Sequence, residues 1–314
     1  MCGIVGLFLK DQALEPKLGH MLTDMLITMT DRGPDSAGIA VYGSDTAESA
    51  GAGTAAAGTT PPAGQAKMTV QAADPQTSFN GLAQVLSDRL GFGVSADVIS
   101  THANLSFPQG KFADVRAALK AARPEIRIMS TGESMEIYKE VGLPKDVAAR
   151  FNVRQMGGTH GIGHTRMATE SAVTTMGAHP FSTGPDQCLV HNGSLSNHNS
   201  LRRKLRREGV HIETENDSEV AAAYLSHQME QGKDLGEALE ASLDDLDGFF
   251  TFVVGTKNGF GVLRDPIACK PAVMAETDQY VAFGSEYRAL VNLPGIEDAR
   301  VWEPEPANVY FWER

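Results

Sequence analysis

Cysteine is scarce: the 314 residues hold three, Cys2, Cys188 and Cys269. They are too few and too scattered for a disulfide framework or a tetrahedral zinc site, and reduced thiols fit a cytoplasmic protein. Positive charge is in deficit, with 27 Lys and Arg against 39 Asp and Glu and a formal net charge of −12. That balance argues against nucleic acid as a general partner. No apolar run approaches the roughly 20 residues needed to span a bilayer. The short apolar segment at residues 4–9 has no cationic stretch before it, so neither a membrane span nor an export signal is expected. There is no internal repeat with a period of roughly 20–50 residues. His160, His164, His191 and His198 lack a metal-ligand spacing and are expected in structural or polar roles. What is present is ordinary for a globular protein: 42% hydrophobic and 21% charged residues. A prior of about 150 residues per domain allows two domains, or one domain with a large insertion.

Along the chain, residues 2–9 read as a buried strand, with β-branched Ile4 and Val5 inside an apolar run. Residues 14–29 read as a helix, carrying Leu18, Met21, Leu22, Met25, Leu26 and Met29 at spacings of three and four. Asp31-Arg32-Gly33-Pro34-Asp35 ends it with turn residues, and 38–42 is a second strand. Residues 44–67 are rich in Ala, Gly, Thr and Pro and read as a flexible low-complexity stretch. Residues 68–156 read as a small α/β insertion, with strands near 94–99 and 126–129 and helix-like stretches at 112–122 and 134–141. Strands are expected again at 162–165, 188–191, 249–254, 261–263, 273–275 and 281–283. Helices are expected at 200–208, which carries a basic face including Arg202, and at 218–229 after Asp217. Strands at both ends flanking helices and an insertion predict an α+β layered sheet structure.

One residue points to chemistry. If the initiator Met is removed, Cys2 carries a thiol and a free α-amine together. The amine titrates at about 7.7–8.0, close to working pH. It can act as general base for its own side chain, and the thiolate attacks a carboxamide. The competing reading of Cys2 is a small buried residue opening a strand.

The rest of the chain bears on that choice. Cys2-Gly3-Ile4-Val5-Gly6, Asp31-Arg32-Gly33-Pro34-Asp35-Ser36-Ala37-Gly38, His164-Thr165-Arg166-Met167-Ala168-Thr169, His191-Asn192-Gly193 and Asn216-Asp217-Ser218-Glu219-Val220 occur in that order. The set resembles the class II glutamine amidotransferases, a family of N-terminal nucleophile hydrolases. Arg264-Asp265-Pro266 and Gly284-Ser285-Glu286 with Ala289-Leu290 are also similar to that family. The resemblance implies a four-layer α/β/β/α sandwich of the N-terminal nucleophile hydrolase type, interrupted by the 44–156 insertion. It implies Cys2 as nucleophile, with the Asn192 side chain and the Gly193 backbone N–H as the oxyanion hole. Arg166 matches the partner of the substrate α-carboxylate, for which a planar two-donor group suits best. Asp217 matches the partner of the α-ammonium, Thr169 helps hold the substrate, and Arg32 lies in the loop lining the pocket. Residue by residue, other readings stay open: a structural salt bridge for Arg166, a helix N-cap for Asp217, and a type I′ hairpin turn for Asn192-Gly193.

Three features depart from the family pattern. Met167 replaces an aromatic residue, Glu170 stands where a histidine often occurs, and the insertion after Tyr42 is long. There is no Ser-Gly-Gly-x-Asp-Ser loop, no phosphoribosyltransferase signature and no room for a sugar isomerase domain. The acceptor chemistry is therefore expected on another polypeptide. The Trp302-Glu303-Pro304-Glu305-Pro306 ending and the insertion look similar to separate amidotransferase subunits of glutamate-synthase-like systems, including the first subunit of N-methylglutamate synthase. That resemblance implies no cofactor in this chain. It places FMN and an iron–sulfur cluster on partner subunits, namely a synthase subunit beside a glycine-repeat β-helix subunit. Two alternatives remain: a non-catalytic scaffold that retains Met1, and a stand-alone amide hydrolase.

Overall fold

A computed structural model of the chain describes residues 2–43, 60–168 and 172–314. In chain order the strands are β1 (Gly3–Leu9), β2 (Ser36–Tyr42), β3 (Gln65–Gln71), β4 (Ser95–Ile99), β5 (His102–Pro108), β6 (Arg127–Gly132), β7 (Met135–Val141) and β8 (His160–Arg166). They continue with β9 (Phe181–Gly184), β10 (Gln187–Leu195), β11 (Gly248–Gly255), β12 (Gly259–Arg264), β13 (Val273–Glu276), β14 (Tyr280–Gly284), β15 (Arg300–Trp302) and β16 (Val309–Glu313). The helices are α1 (Leu18–Thr28), α2 (Pro75–Phe79), α3 (Leu82–Leu90), α4 (Phe112–Ala122), α5 (Pro144–Arg150), α6 (His198–Arg207), α7 (Asp217–Glu230) and α8 (Leu235–Asp245). No helix among the described residues is long and apolar enough to cross a membrane.

A seven-stranded sheet, ordered β15-β13-β14-β1-β8-β2-β7, faces a five-stranded sheet ordered β16-β12-β11-β10-β9. Strand side chains alternate between faces, and β1 shows the consequence. Ile4 and Phe8 enter the apolar layer between the sheets with Tyr42, Val190, Val253 and Phe260. Val5, Leu7 and Leu9 face outward onto α1 and α5, where Leu18, Leu22, Leu26, Val147 and Phe151 close the core. The second sheet's outer face, with Leu189, Phe252 and Leu263, is covered by Leu201, Leu205, Leu225 and Leu239 of α6–α8. Two sheets between two helical layers make the α+β, four-layer sandwich.

A separate four-stranded sheet, ordered β4-β5-β3-β6, packs with α2–α4 around its own core of Met68, Val70, Phe79, Leu86, Leu105, Phe107 and Leu119. Within the span expected as an insertion, hydrogen bonding divides the chain. Residues 65–132 form this unit, whereas β7 pairs along its whole length with β2 and α5 packs against α1. Of the stretch expected to be flexible, 44–59 lies outside the described residues and Gln65–Lys67 belong to β3. The helix expected at 134–141 is a strand. Met135 and Ile137 face the inter-sheet core while Tyr138 faces the opposite one, so a period of two decides over local helix propensity.

The insertion is fastened by polar groups. Lys67 of β3 and Glu136 of β7 form a buried ion pair at 2.9 Å. Tyr138 Oη donates to the other Glu136 oxygen at 2.7 Å and receives Asn104 Nδ2 of β5 at 2.7 Å. Asp186 accepts the N–H groups of Glu133, Ser134 and Met135 at the β6–β7 turn, at 2.7–2.9 Å.

Candidate active site

Cys2 lies just before β1, and its surroundings converge from four segments. The β1–β8 register pairs Gly3 with Thr165, which sets Arg166 opposite Cys2 at the same end of the sheet. The turn after α1 brings Arg32, whose Nε donates to the Cys2 carbonyl oxygen at 3.0 Å. From the facing sheet, Asn192 of β10 donates its Nδ2 to the same oxygen at 3.2 Å. From beyond β14, Glu286 accepts Arg32 Nη1 at 2.6 Å. A residue at the end of a strand frays unless it is tied down, and the Cys2 carbonyl is held by two side chains at once.

Asn192 and Gly193 do not form a hairpin turn. They lie inside β10, opposite Thr251 and Phe250 of β11. Gly193 has φ +155°, and a Cβ there would lie 2.0 Å from the Phe249 carbonyl oxygen, so glycine is required by the close approach of β11. Asn192 is buried. A side-chain amide carries two N–H bonds, so donating one to Cys2 leaves a second for an oxygen developing beside the thiol.

Asp217 does not cap its helix. Asn216 does, its side chain accepting Ser218 N–H at 2.9 Å. The Asp217 carboxylate instead receives Leu195 N–H at 3.0 Å, tying the start of α7 to the end of β10, and stays partly exposed. Arg166, at the end of β8, is buried except for 8% of its surface, with Nη1 at 3.5 Å from the Ala172 carbonyl. Asp35, from the turn that also carries Arg32, accepts Ala168 N–H at 2.8 Å, and its own N–H donates to Arg166 O at 3.1 Å. The two loops flanking the site are thus joined to each other. Thr169 lies outside the described residues.

Behind β10 is a group of buried histidines. His164 and His179 stack with ring centroids 4.0 Å apart. His179 Nε2 and His191 Nδ1 share the Ser218 hydroxyl at 2.8 and 2.9 Å. Burial pushes His164 down to about 3, and burial likewise lowers His179 and His191. Neutral rings packed this way hold β8, β10 and α7 in register. Among the described residues no group of His, Cys, Asp and Glu is arranged to hold a metal ion.

In the sequence Ser285 and Glu286 stand out only as part of a motif, and Asp35 and Ser218 carry no individual signal. Their signal lies in contacts between distant segments, Arg32 with Glu286 254 positions apart and Ser218 with His179 and His191 39 and 27 positions apart. The basic helix α6 is less uniform than its sequence suggests, because Arg202 is buried and paired to Glu215 at 2.9 Å. A cavity of about 380 Å³ opens between β6, β9 and the α6–α7 loop, lined by Lys139, Phe181 and Glu219 among others, and none of the residues around Cys2 lines it.

The family profile described as glutamine amidotransferase domain matches residues 164–292. The chain is 68% identical over its whole length to a glutamine amidotransferase-like protein, GlxB, of Rhizobium meliloti, covering 98% of that protein. It is 33% identical to a putative glutamine amidotransferase of Methanothermobacter thermautotrophicus, over 99% of both chains. A solved structure of glutamine phosphoribosylpyrophosphate amidotransferase from B. subtilis superposes on 99% of this chain and 47% of its own, with TM-score 0.60 at 17% identity, a likeness of fold.

Proposed function

This chain belongs to the glutamine amidotransferase-like proteins, and from that premise we propose that it cleaves glutamine, or another γ-glutamyl amide, with Cys2 as nucleophile. The observation that carries the proposal is the convergence of Asn192 Nδ2 and Arg32 Nε on the Cys2 carbonyl. An amide donor from the facing sheet thus reaches the backbone of the residue that carries the thiol.

After removal of Met1, the Cys2 α-amine takes the thiol proton and Sγ attacks the amide carbon. The carbonyl oxygen becomes an oxyanion, held by the second Asn192 N–H and the Gly193 backbone N–H. Arg166 pairs with the substrate α-carboxylate, Asp217 with its α-ammonium, and Thr169 assists. The amine returns its proton to the leaving nitrogen and ammonia departs. Water then cleaves the thioester, releasing glutamate and restoring the thiol.

We further propose that the ammonia, or an amine, passes to a flavin-dependent, glutamate-synthase-like partner subunit of the N-methylglutamate synthase type. In support, curated relatives such as the amidophosphoribosyltransferase of Synechocystis match this chain over 32% of their own length. The matched stretch there is one part of a longer protein.

Two measurements test the reading. Protein whose intact mass lacks Met1 should hydrolyse glutamine and take up a glutamine-mimicking diazo ketone on Cys2; absence of that adduct refutes the nucleophile. Purification from the native cell should bring down a flavoprotein. A monomer with full turnover and no companion refutes the partner.

A further inference from the structure

We propose that Glu286 is a positioning residue for this reaction: it holds the Arg32 guanidinium against the Cys2 carbonyl and so fixes the nucleophile in front of Asn192. The inference rests on the reading of Cys2 as nucleophile. Three observations carry it.

First, the Arg32 side chain is only 9% exposed, and its ion pair with Glu286 is short, at 2.6 Å. A guanidinium that far from water needs a counter-charge to stay in place. Arg32 Nη2 is buried and has no hydrogen-bond partner among the described residues. The group is therefore oriented by two contacts, Nη1 to Glu286 and Nε to Cys2.

Second, Glu286 is itself oriented. Its other oxygen receives Arg288 Nε at 2.7 Å, and Arg288 Nη1 reaches Asp31 at 3.3 Å, in the same turn as Arg32. The chain of charges closes on the turn it began from.

Third, the neighbouring residue grips the same strand directly. Ser285 N–H donates to Ile4 O and Ser285 Oγ accepts Ile4 N–H, both at 2.9 Å. Ser285 and Glu286 thus hold the start of β1 at two points, Ile4 directly and Cys2 through Arg32. β1 pairing begins at Gly3, so among the described residues no strand partner in that sheet holds Cys2.

The test compares Glu286→Ala, Glu286→Gln, Arg32→Ala and the Glu286→Ala/Arg32→Ala double variant, all processed to Cys2. Loss of a charge-assisted contact predicts a fall of about ten-fold or more in glutaminase kcat for Glu286→Ala. KM should hold within about two-fold, because Glu286 acts on the nucleophile and not on substrate. Glu286→Gln keeps an acceptor of the same shape and should fall in between; it also serves if the alanine variant fails to fold. The double variant should be no worse than Arg32→Ala alone. Independently of turnover, amide hydrogen exchange in the peptide spanning residues 2–9 should quicken in Glu286→Ala and in Arg32→Ala. Unchanged kcat and exchange, a rise in KM at constant kcat, or losses that multiply in the double variant each overturn the proposal. If the parent protein shows no glutaminase activity, the functional reading fails, and the exchange measurement alone still decides whether Glu286 holds Cys2.

Discussion

Asn192 and Cys2 are 190 positions apart, yet the Asn192 amide donates to the Cys2 carbonyl oxygen at 3.2 Å. The bond crosses from one sheet of the sandwich to the other. In the mechanism proposed above, one side chain is then both the oxyanion donor and the anchor of Cys2, so removing it should damage two things at once. Asn192→Ala is expected to lower glutaminase kcat by about 100- to 1,000-fold, the range for loss of one preorganised donor. KM should change little, since the ground-state amide is held elsewhere. Steady-state kinetics on protein of verified intact mass decide it, and a variant retaining a third of its kcat would remove Asn192 from the mechanism.

Gly193 sits where β11 passes closest to β10. At φ +155°, with Phe249 O 2.0 Å from the site of a Cβ, even a methyl group requires the backbone to move. Gly193→Ala should lower stability by about 1–3 kcal/mol and, if the proposed oxyanion role of its N–H holds, abolish turnover. Thermal melting and kinetics together test this. An alanine variant as stable and active as the parent would mean that β11 yields freely.

Asn216 and Asp217 separate two roles that share a helix end. Asn216→Ala removes the cap and is expected to cost about 1 kcal/mol of stability, with KM for glutamine unchanged. Asp217→Asn removes the charge proposed to meet the substrate ammonium and should raise KM by about ten-fold or more. Measuring Tm and KM for both variants gives a crossed pattern. The same effect on both quantities in both variants would show that Asp217 acts only through the helix.

Much of this was legible in the sequence. β1, α1 and the β10–β14 strands follow from periodicity, and the site residues proposed above, Cys2, Arg166, Asn192 and Asp217, are read from ordered motifs. Other features were not legible, for reasons that can be named. Residues 135–141 carry Met, Glu, Ile, Tyr and Lys, a mix that suits either helix or strand. Only the edge offered by β2 settles it. Asn192-Gly193 is a strong local turn signal, overridden because both neighbours of the pair continue into a strand held by β11. The role of Glu286 depends on Arg32, 254 positions away, which no local pattern reports.

Burial pushes His102, His160 and His164 down to about 3, and it also lowers His179 and His191. In the unfolded chain each titrates near 6.5. Between those values the unfolded state binds protons that the folded state refuses, so stability is full above about 6.5 and falls as the pH drops towards about 3. Each such histidine contributes a slope of about 1.4 kcal/mol per pH unit in that window. Urea unfolding at pH 7 and pH 5 should show a marked loss at pH 5. His160 stacks on Tyr42 at 4.0 Å, so His160→Phe keeps a ring there and should shrink the loss. Equal stability at the two pH values would contradict buried neutral histidines.

The Lys67–Glu136 pair makes the last prediction, because it joins the inserted sheet to the main one with side chains 3% and 4% exposed. Breaking such a pair leaves a charge uncompensated away from water, at a cost of about 3–5 kcal/mol. Lys67→Met should therefore destabilise strongly. Glu136→Gln keeps an acceptor for the Tyr138 hydroxyl, which lies 2.7 Å from the carboxylate, yet leaves Lys67 charged. The double variant Lys67→Met/Glu136→Gln removes both charges and should be more stable than the sum of the single losses implies. Chemical denaturation of all four proteins closes the cycle. Strictly additive losses would mean that the two side chains stabilise their sheets separately and that other contacts, among them Asn104–Tyr138, Thr101–Glu140 and those of Asp186, dock the insertion.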